Sequence, residues 1–227
     1  MFKIEVSEQI RQACPDFKGV EILCDVKNVS CNEALWTLIE QEVDILKTSL
    51  SLETIKLNSV INATRATYKK LGKDPNRYRP SSEALCRRIV RGLPLYQVSS
   101  LVDLINLISL KTGYCIGGFD ADKIEGNLRL GVGIADEPFE AIGRGKMNIE
   151  GLPVYRDSIG GIGNPSSDEE RTKIALETVH LLMLINGYSG KEGLNEATDY
   201  SIDLLKKYAY AEQIKIRSVN GEISKSN

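Results

Sequence analysis

The chain of 227 residues has few of the side chains that most often bind metals or serve as partners of a catalytic nucleophile. It contains one histidine, His180, and its five cysteines are scattered without a CxxC pair. A structural zinc site needs about four Cys or His ligands, so we expect no metal. A Ser-His-Asp triad would have to use His180, which falls on a predicted buried strand without a nucleophile elbow nearby. We therefore expect a core or edge histidine.

Long hydrophobic runs are also missing. The longest apolar stretch, Leu181–Ile185, is far shorter than the roughly 20 residues that span a bilayer. The first ten residues mix charged and apolar side chains and have no hydrophobic region typical of a secretory signal. An odd number of unpaired cysteines is typical of a reducing compartment. We therefore expect a cytoplasmic protein that binds no membrane.

Cofactor-binding loops are absent as well. The glycines near positions 131 and 160 do not form a GxGxxG fingerprint, and the sequence contains no P-loop. Asp120, Asp122 and Glu125 resemble the start of a calcium-binding loop, but the glycine comes one position late and no closing glutamate follows. We expect no cofactor.

The hydrophobic pattern predicts a mixed α/β fold, a single compact domain with a mixed sheet flanked by helices. The content of 42% hydrophobic and 26% charged residues is ordinary for a globular domain. We predict an N-terminal α/β extension over residues 1–57, packed on a main unit over 58–220, and a frayed tail over 221–227. Helices are predicted over 32–50, 58–71, 81–92, 100–113 and 194–209, and strands over 3–6, 20–26, 128–134, 140–142, 154–156, 174–186 and 213–219.

Two helix starts carry apparent capping signals. Ser30 followed by Glu33 predicts a capping box for the first long helix, where Trp36 falls on the apolar stripe. Ser100 followed by Asp103 predicts a similar cap for the helix LVDLINLISLK.

Residues 65–91 form a strongly basic segment in a nearly neutral chain. The segment holds nine basic and two acidic residues and surrounds a turn that contains Tyr78. Such a local charge attracts phosphates. The alternative is a solvated face spread over two helices.

The helix over 100–113 and the segment after it suggest a small polar pocket. Asp103 and Asn106 lie three residues apart, hence on one helix face, and their neighbours are apolar nearly all round. Buried polar side chains need partners. Asp103 either caps its own helix or faces a ligand, and Asn106 either bonds nearby backbone or does the same. A predicted Gly117-Gly118 loop, which allows a close approach of the backbone, then leads to Asp120.

The segments YRPSSEALCRR, LVDLINLISLKTG, GGFDADKIEG and DEERTKIALETVHLLMLINGY resemble the B3/B4 domain of the bacterial phenylalanyl-tRNA synthetase β subunit. The likeness is greatest to free-standing proteins that carry this domain without a synthetase, and it covers about residues 60–190. In the synthetase this domain removes tyrosine wrongly esterified to the tRNA for phenylalanine. The resemblance implies a mixed α/β domain with a pocket beside its helices, and tRNA or aminoacyl-tRNA as the partner.

The resemblance also implies particular site residues. The Thr-Asn pair of the synthetase pattern corresponds to Ile105 and Asn106, and the histidine of its Gln-Pro-Leu-His-Ala-Phe-Asp segment corresponds to Gly117. Its later Leu-Glu corresponds to Leu176 and Glu177. The resemblance thus implies Asn106 and Glu177 as catalytic residues. It implies substrate contacts for Asp103, Gly117, Gly118, Asp120, Arg171 and Thr172. Candidate RNA-binding residues are Arg65, Lys69, Lys70, Arg77, Tyr78, Arg79, Arg87, Arg88 and Arg91.

Three classes of function fit these observations. The first is a stand-alone domain that binds tRNA and hydrolyses mischarged aminoacyl-tRNA with a positioned water rather than a protein nucleophile. The second is a module that binds RNA or an amino acid without turnover, which the glycine at position 117 favours. The third is a protein-interaction domain with no RNA role. We expect no DNA partner.

Overall fold

Helices and short strands alternate along the chain. The computed structural model describes residues 1–219, so the predicted tail over 221–227 lies outside the described residues. The helices are α1 Glu8–Ala13, α2 Glu33–Ser49, α3 Leu52–Leu57, α4 Ser59–Lys70, α5 Ser81–Val90, α6 Ser100–Thr112 and α7 Leu194–Ala209. The strands are β1 Ile4–Val6, β2 Lys18–Asp25, β3 Cys115–Asp120, β4 Leu128–Val132, β5 Glu140–Ala141, β6 Gly145–Lys146, β7 Pro153–Arg156, β8 Gly161–Asn164, β9 Ser167–Asp168, β10 His180–Gly187 and β11 Glu212–Val219.

The strands form two main sheets and a hairpin. One sheet has the order β11-β2-β10-β3 and is antiparallel throughout. The other has the order β1-β4-β7-β8-β9, and its β1–β4 pair is parallel while its other pairs are antiparallel. Strands β5 and β6 form a two-stranded hairpin, and Ala141 of β5 also forms an isolated bridge with Glu169. The predicted fold, a single compact α/β domain with a mixed sheet flanked by helices, is confirmed.

Strand β10 lies at the centre of three layers. Leu181, Met183 and Ile185 pack with α2, α6 and α7 on one side. Leu182 and Leu184 point the other way, toward the second sheet. Because both faces of β10 are covered, its sequence is an uninterrupted apolar run rather than an alternating one.

The first predicted capping signal is wrong. Helix α2 has Asn32 as its N-cap, and the Asn32 side chain accepts a hydrogen bond from the N–H of Leu35. Asn32 is itself a favoured capping residue, so the motif is displaced by two positions from Ser30. Trp36, expected in the core, is half-buried.

The second predicted capping signal is also wrong. The hydroxyl of Ser100 donates to Oδ1 of Asn28 and so does not cap α6. The Asp103 carboxylate accepts hydrogen bonds from the Trp36 indole N–H at 2.8 Å and from the Val98 N–H at 2.9 Å. Both side chains therefore join α6 to other segments.

The Gly117-Gly118 pair lies inside a strand, not in the predicted loop. Gly117 and Gly118 are central residues of β3 and pair with Leu184 and Met183 of β10. The strand predicted over 174–186 begins only at His180, because a turn precedes it in which the N–H of Ala175 donates to Oγ1 of Thr178.

His180 is exposed rather than buried. It is the first residue of β10, and its Nδ1 lies 2.8 Å from Oδ2 of Asp122. The hydrogen bond with Asp122 raises the pKa of His180 above its usual value. His180 is thus neither a core residue nor on an edge strand, because β10 lies between β2 and β3 and the histidine occupies its solvent-facing end.

Candidate functional site

A cavity of about 390 Å³ lies between α6, β3 and the β8–β9 turn. We call it the α6–β3 cavity. Its volume is within the range of small-molecule sites. Its polar lining comprises Ser81, Asn106, Ser109, Asn164, Ser167, Asp168 and Lys173, with the backbone of Gly118. Of the residues predicted as catalytic or substrate-binding, the lining includes Asn106 and Gly118.

Asp168 is the carboxylate of this cavity. The two-residue strand β9 carries it beside β3, where its Oδ2 accepts a hydrogen bond from the N–H of Gly118 at 3.3 Å. Burial raises the pKa of Asp168 to about 7, and the Gly118 hydrogen bond offsets only part of that effect. A carboxyl group of this kind exchanges protons near neutral pH, as a general acid or base must.

Asn164 supplies a hydrogen-bond donor without a partner. Its Oδ1 accepts from the N–H groups of Ser166 and Ser167, at 2.9 and 3.3 Å, which fixes the orientation of the amide. Its Nδ2 has no partner within residues 1–219, although Asn164 is only 8% exposed. An unpaired buried donor costs about 1–3 kcal/mol, so an acceptor on a bound molecule would relieve a real penalty.

Asn106 faces the cavity from α6. It is half-buried, and its side-chain amide forms no hydrogen bond with any residue in the described part of the chain. Asp103, one turn earlier, lies outside the lining, and both of its oxygens bind Trp36 and Val98. Asp103 and Asn106 therefore have different environments: Asp103 bonds other protein groups, and Asn106 faces the cavity.

The two central glycines of β3 create space on opposite sides of the strand. A Cβ at Gly118 would come within 2.5 Å of Cδ1 of Ile105, which lines the cavity. A Cβ at Gly117 would lie 2.7 Å from the Phe119 ring and 3.6 Å from Oδ1 of Asp168. Gly118 thus keeps the cavity open, and Gly117 leaves room for the Phe119 ring.

Asp120 and Glu177 lie outside the lining of the cavity. The Asp120 carboxylate accepts from Thr178 Oγ1 at 3.0 Å and from the Asp122 N–H at 3.2 Å, which fixes the ends of β3 and β10. Glu177 is exposed in the turn before β10.

Arg171 and Thr172 lie on a short 3₁₀ turn, also outside this cavity. Both terminal nitrogens of Arg171 bind the Asp157 carboxylate at 3.0 Å. Arg171 also borders a separate cavity of about 650 Å³ beside Phe139. Thr172 is fully buried, and its hydroxyl has no partner among residues 1–219.

The remaining lining of the α6–β3 cavity is aliphatic. The side chains are those of Val98, Val102, Ile105, Ile116, Ile142 and Ile174. A site with an apolar wall and a few polar groups suits a small ligand that has both an apolar part and a polar part.

The predicted basic surface divides into paired and unpaired cations. Glu83 is buried in α5 and lies 2.7 Å from both Arg65 and Arg87 and 3.6 Å from Arg79. These three arginines therefore neutralise an internal carboxylate. The Arg88 guanidinium lies 3.9 Å from the centroid of the Tyr96 ring.

The other predicted RNA-binding residues remain accessible in part. Lys69, Lys70, Arg77 and Arg91 are exposed, with no salt bridge in the described part of the chain. Tyr78 is half-buried, and Nζ of Lys73 lies 3.8 Å from the centroid of its ring, so one ring face is already covered.

Sequence reasoning missed Asp168, Asn164 and Lys173. The Asn164-Pro165 dipeptide is a turn signal that, followed by Asp168, marks a polar turn between strands. The sequence carried no sign that this turn faces α6. Lys173 forms a salt bridge with Glu170 at the cavity wall.

Across residues 1–219 no group of three or more His, Cys, Asp or Glu side chains has a metal-binding arrangement. No helix in that range is both long and apolar enough to cross a bilayer.

Comparison with known proteins shows the family to which this chain belongs. No curated protein matches the chain. A solved structure, an N-terminal fragment of the phenylalanyl-tRNA synthetase β-subunit from Pyrococcus horikoshii, matches with a TM-score of 0.50 and 17% sequence identity. The match covers 95% of this chain and 50% of that one, so the chain spans about half the length of this fragment. At this identity the likeness concerns the fold. The sequence model of the B3/4 domain matches residues 63–218, most of the chain, and the chain therefore belongs to the B3/4 domain family.

Proposed function

We propose that this protein binds tRNA and hydrolyses mischarged aminoacyl-tRNA in trans, with the aminoacyl ester in the α6–β3 cavity. The observation that carries the proposal is the Asp168 carboxyl, whose pKa of about 7 results from burial beside a cavity that also contains Asn106 and Asn164. Family membership supports it, because the solved structure of similar fold belongs to a tRNA synthetase subunit. The partner is aminoacyl-tRNA, with no role for DNA or membranes.

In this mechanism a water molecule is the nucleophile. Ionised Asp168 accepts a proton from the water molecule while the water oxygen forms a bond to the ester carbonyl carbon. The carbonyl oxygen becomes an oxyanion, and the amide nitrogens of Asn106 and Asn164 donate hydrogen bonds to it. When the tetrahedral intermediate collapses, the bond to the ribose oxygen breaks, and protonated Asp168 returns its proton to that oxygen.

Asp168 takes the role that the resemblance suggested for Glu177. Glu177 is exposed in the turn before β10, and Asp168 lies at the cavity wall. Asn106 keeps its predicted role as an orienting group, and Gly118 keeps the Asp168 carboxyl in place through its N–H.

The aliphatic lining sets the expected substrate class. Six Val and Ile side chains surround the polar groups, so the favoured aminoacyl group has an apolar side chain. A charged aminoacyl side chain would lose its hydration against these aliphatic side chains, which costs several kcal/mol unless it reaches Asp168 or Lys173.

A module that binds an amino acid or RNA without turnover is the second candidate. Gly117 stands where the synthetase pattern has a histidine, and an ionised Asp168 can bind an α-ammonium group instead of activating water. In that case the same cavity retains its ligand unchanged.

Incubation with a panel of correctly charged and mischarged aminoacyl-tRNAs separates the two candidates. We expect release of an apolar amino acid from at least one mischarged tRNA well above the buffer rate. We expect Asn106→Ala to slow that release about tenfold or more with unchanged tRNA affinity. Absence of release from every tRNA, or an effect of Asn106→Ala on affinity alone, would contradict hydrolysis and favour simple binding.

A further inference from the structure

A third cavity, of about 410 Å³, has a basic lining and lies next to the α6–β3 cavity. Arg77, Arg144 and Lys146 line it together with the polar residues Asn148 and Ser166. All three cations are exposed, and the lining contains no Asp or Glu. We call this cavity the basic groove.

The cations of the basic groove are not neutralised by the protein. Within residues 1–219, none of Arg77, Arg144 and Lys146 forms a salt bridge. Lys146 also borders the cavity of about 650 Å³, whose lining includes Asp136, Glu137, Glu140 and Glu169. None of these carboxylates lies within salt-bridge distance of a groove cation. This is the reverse of the situation at Glu83, where three arginines converge on one carboxylate.

The same two chain segments contribute residues to the basic groove and to the α6–β3 cavity. In the β8–β9 turn, Ser166 lines the groove, and its neighbours Asn164 and Ser167 line the cavity. In the β5–β6 hairpin, Ile142 lines the cavity and Arg144 lines the groove, two residues further along the chain. The basic groove therefore lies beside the α6–β3 cavity along both segments.

We propose that the basic groove binds the phosphodiester backbone of a single-stranded RNA 3′ end. The placement of the terminal ester in the α6–β3 cavity rests on the proposed function, whereas the binding of RNA phosphates in the groove stands on its own charge and position. With the terminal ester in the α6–β3 cavity, the last nucleotide is unpaired and the phosphates that precede it lie outside. Arg77 and Arg144 present guanidinium groups, which bind phosphate through two parallel N–H donors, and Lys146 adds a point charge.

Two triple variants of equal charge test this assignment. The groove variant carries Arg77→Ala, Arg144→Ala and Lys146→Ala. The control variant carries Lys3→Ala, Arg11→Ala and Lys56→Ala, which are equally exposed, line neither cavity and are not among the candidate RNA-binding residues. Affinity for a short fluorescent single-stranded RNA is measured by anisotropy over a range of KCl concentrations, after thermal unfolding has shown that both variants fold.

We expect the groove variant to bind about tenfold more weakly or worse, and its salt slope to fall by about 2, because each phosphate contact on a single strand contributes about 0.7. The control variant should stay within about twofold of the parent protein. Equal losses in both variants would reduce the effect to net charge and overturn the proposal. Unchanged affinity in the groove variant would overturn it as well.

A second readout separates this proposal from hydrolysis. Should the groove variant alone lose RNA affinity while the parent protein releases no amino acid from any tRNA, the groove assignment holds and the hydrolytic function fails. Where the parent is active, an aminoacyl-adenosine without phosphates should be hydrolysed equally by parent and groove variant. The single charge reversal Arg144→Glu at the hairpin should weaken RNA binding by itself, and its failure to do so would contradict the proposal.

Discussion

The backbone N–H of Gly118 donates a hydrogen bond to Oδ2 of Asp168 over 3.3 Å and so links β3 to β9 across the wall of the α6–β3 cavity. This one donor does not offset the loss of water around the carboxyl, and burial raises the pKa of Asp168 to about 7. A side chain that is costly to ionise at neutral pH is common at functional sites. The ionisation of Asp168 beside Gly118 can therefore be tested through both stability and activity.

Asp168→Asn should stabilise the fold at neutral pH. A raised pKa in the folded state means that Asp168 contributes stability below the unfolded pKa of about 3.9, and that this contribution is lost as the pH rises through about 7. The variant keeps an oxygen that accepts from Gly118 but never ionises. We expect its stability relative to the parent to increase by about 2 kcal/mol between pH 5 and pH 8 in urea unfolding.

Asp136→Asn is the matched control for this change. Asp136 is exposed, lies outside the α6–β3 cavity and has a φ of 57°, which asparagine adopts readily. This variant removes the same negative charge from an exposed site, so the gain of Asp168→Asn should be clearly larger than any change in the control. A pH-independent difference for Asp168→Asn would show that Asp168 titrates normally.

Deacylation should follow the ionisation of the same carboxyl. With Asp168 as general base, the rate constant rises about tenfold per pH unit below pH 7 and levels off above it. The measurement is a pH series of single-turnover rates after subtraction of the uncatalysed ester hydrolysis. A parent profile that continues to rise with hydroxide concentration above pH 8 would argue against a protein base.

The Trp36–Asp103 contact should matter for stability rather than for chemistry. The Trp36 indole N–H donates to Asp103 Oδ2 at 2.8 Å, so Trp36→Phe leaves a buried carboxylate oxygen with one donor fewer. We expect a loss of about 1–3 kcal/mol in unfolding free energy with an unchanged deacylation rate per folded molecule. A fall in rate at constant stability would instead support the predicted substrate contact of Asp103.

Glu83 should prove to be a structural residue despite its basic surroundings. Glu83→Gln leaves Arg65 and Arg87 without their buried carboxylate and should cost about 3 kcal/mol of stability. The expected RNA affinity is unchanged or slightly higher, because the arginines become freer. Loss of RNA binding at unchanged stability would instead indicate that Arg65 and Arg87 belong to an RNA-binding surface.

The sequence predicted the elements better than it predicted the site. Helix α7 has the predicted bounds, and the predicted start of α5 at Ser81 is correct, because periodic apolar residues and helix-ending glycines are local signals. Both predicted caps failed, since capping depends on which polar side chain is free. Ser100 is engaged by Asn28, and Asp103 is engaged by Trp36, which is 67 positions away in the sequence.

The candidate site depends on long-range contacts that a single sequence does not encode visibly. Asn106 and Gly118 were found because the helix and the glycine pair stand out locally. Asp168 becomes notable only when the fold buries it beside Gly118, 50 positions away in the sequence, and that burial raises its pKa. The basic groove is hidden for the same reason, because Arg77 and Arg144 come from distant segments.

The most direct test of the central claim is the single-turnover deacylation of an apolar mischarged aminoacyl-tRNA by the parent, Asp168→Asn and Asp136→Asn proteins. Loss of a general base costs about 100-fold or more in rate, so Asp168→Asn should approach the buffer rate while it binds tRNA and folds normally. Asp136→Asn should match the parent. Equal rates for the parent and Asp168→Asn would contradict the assignment of Asp168 as the group that activates water.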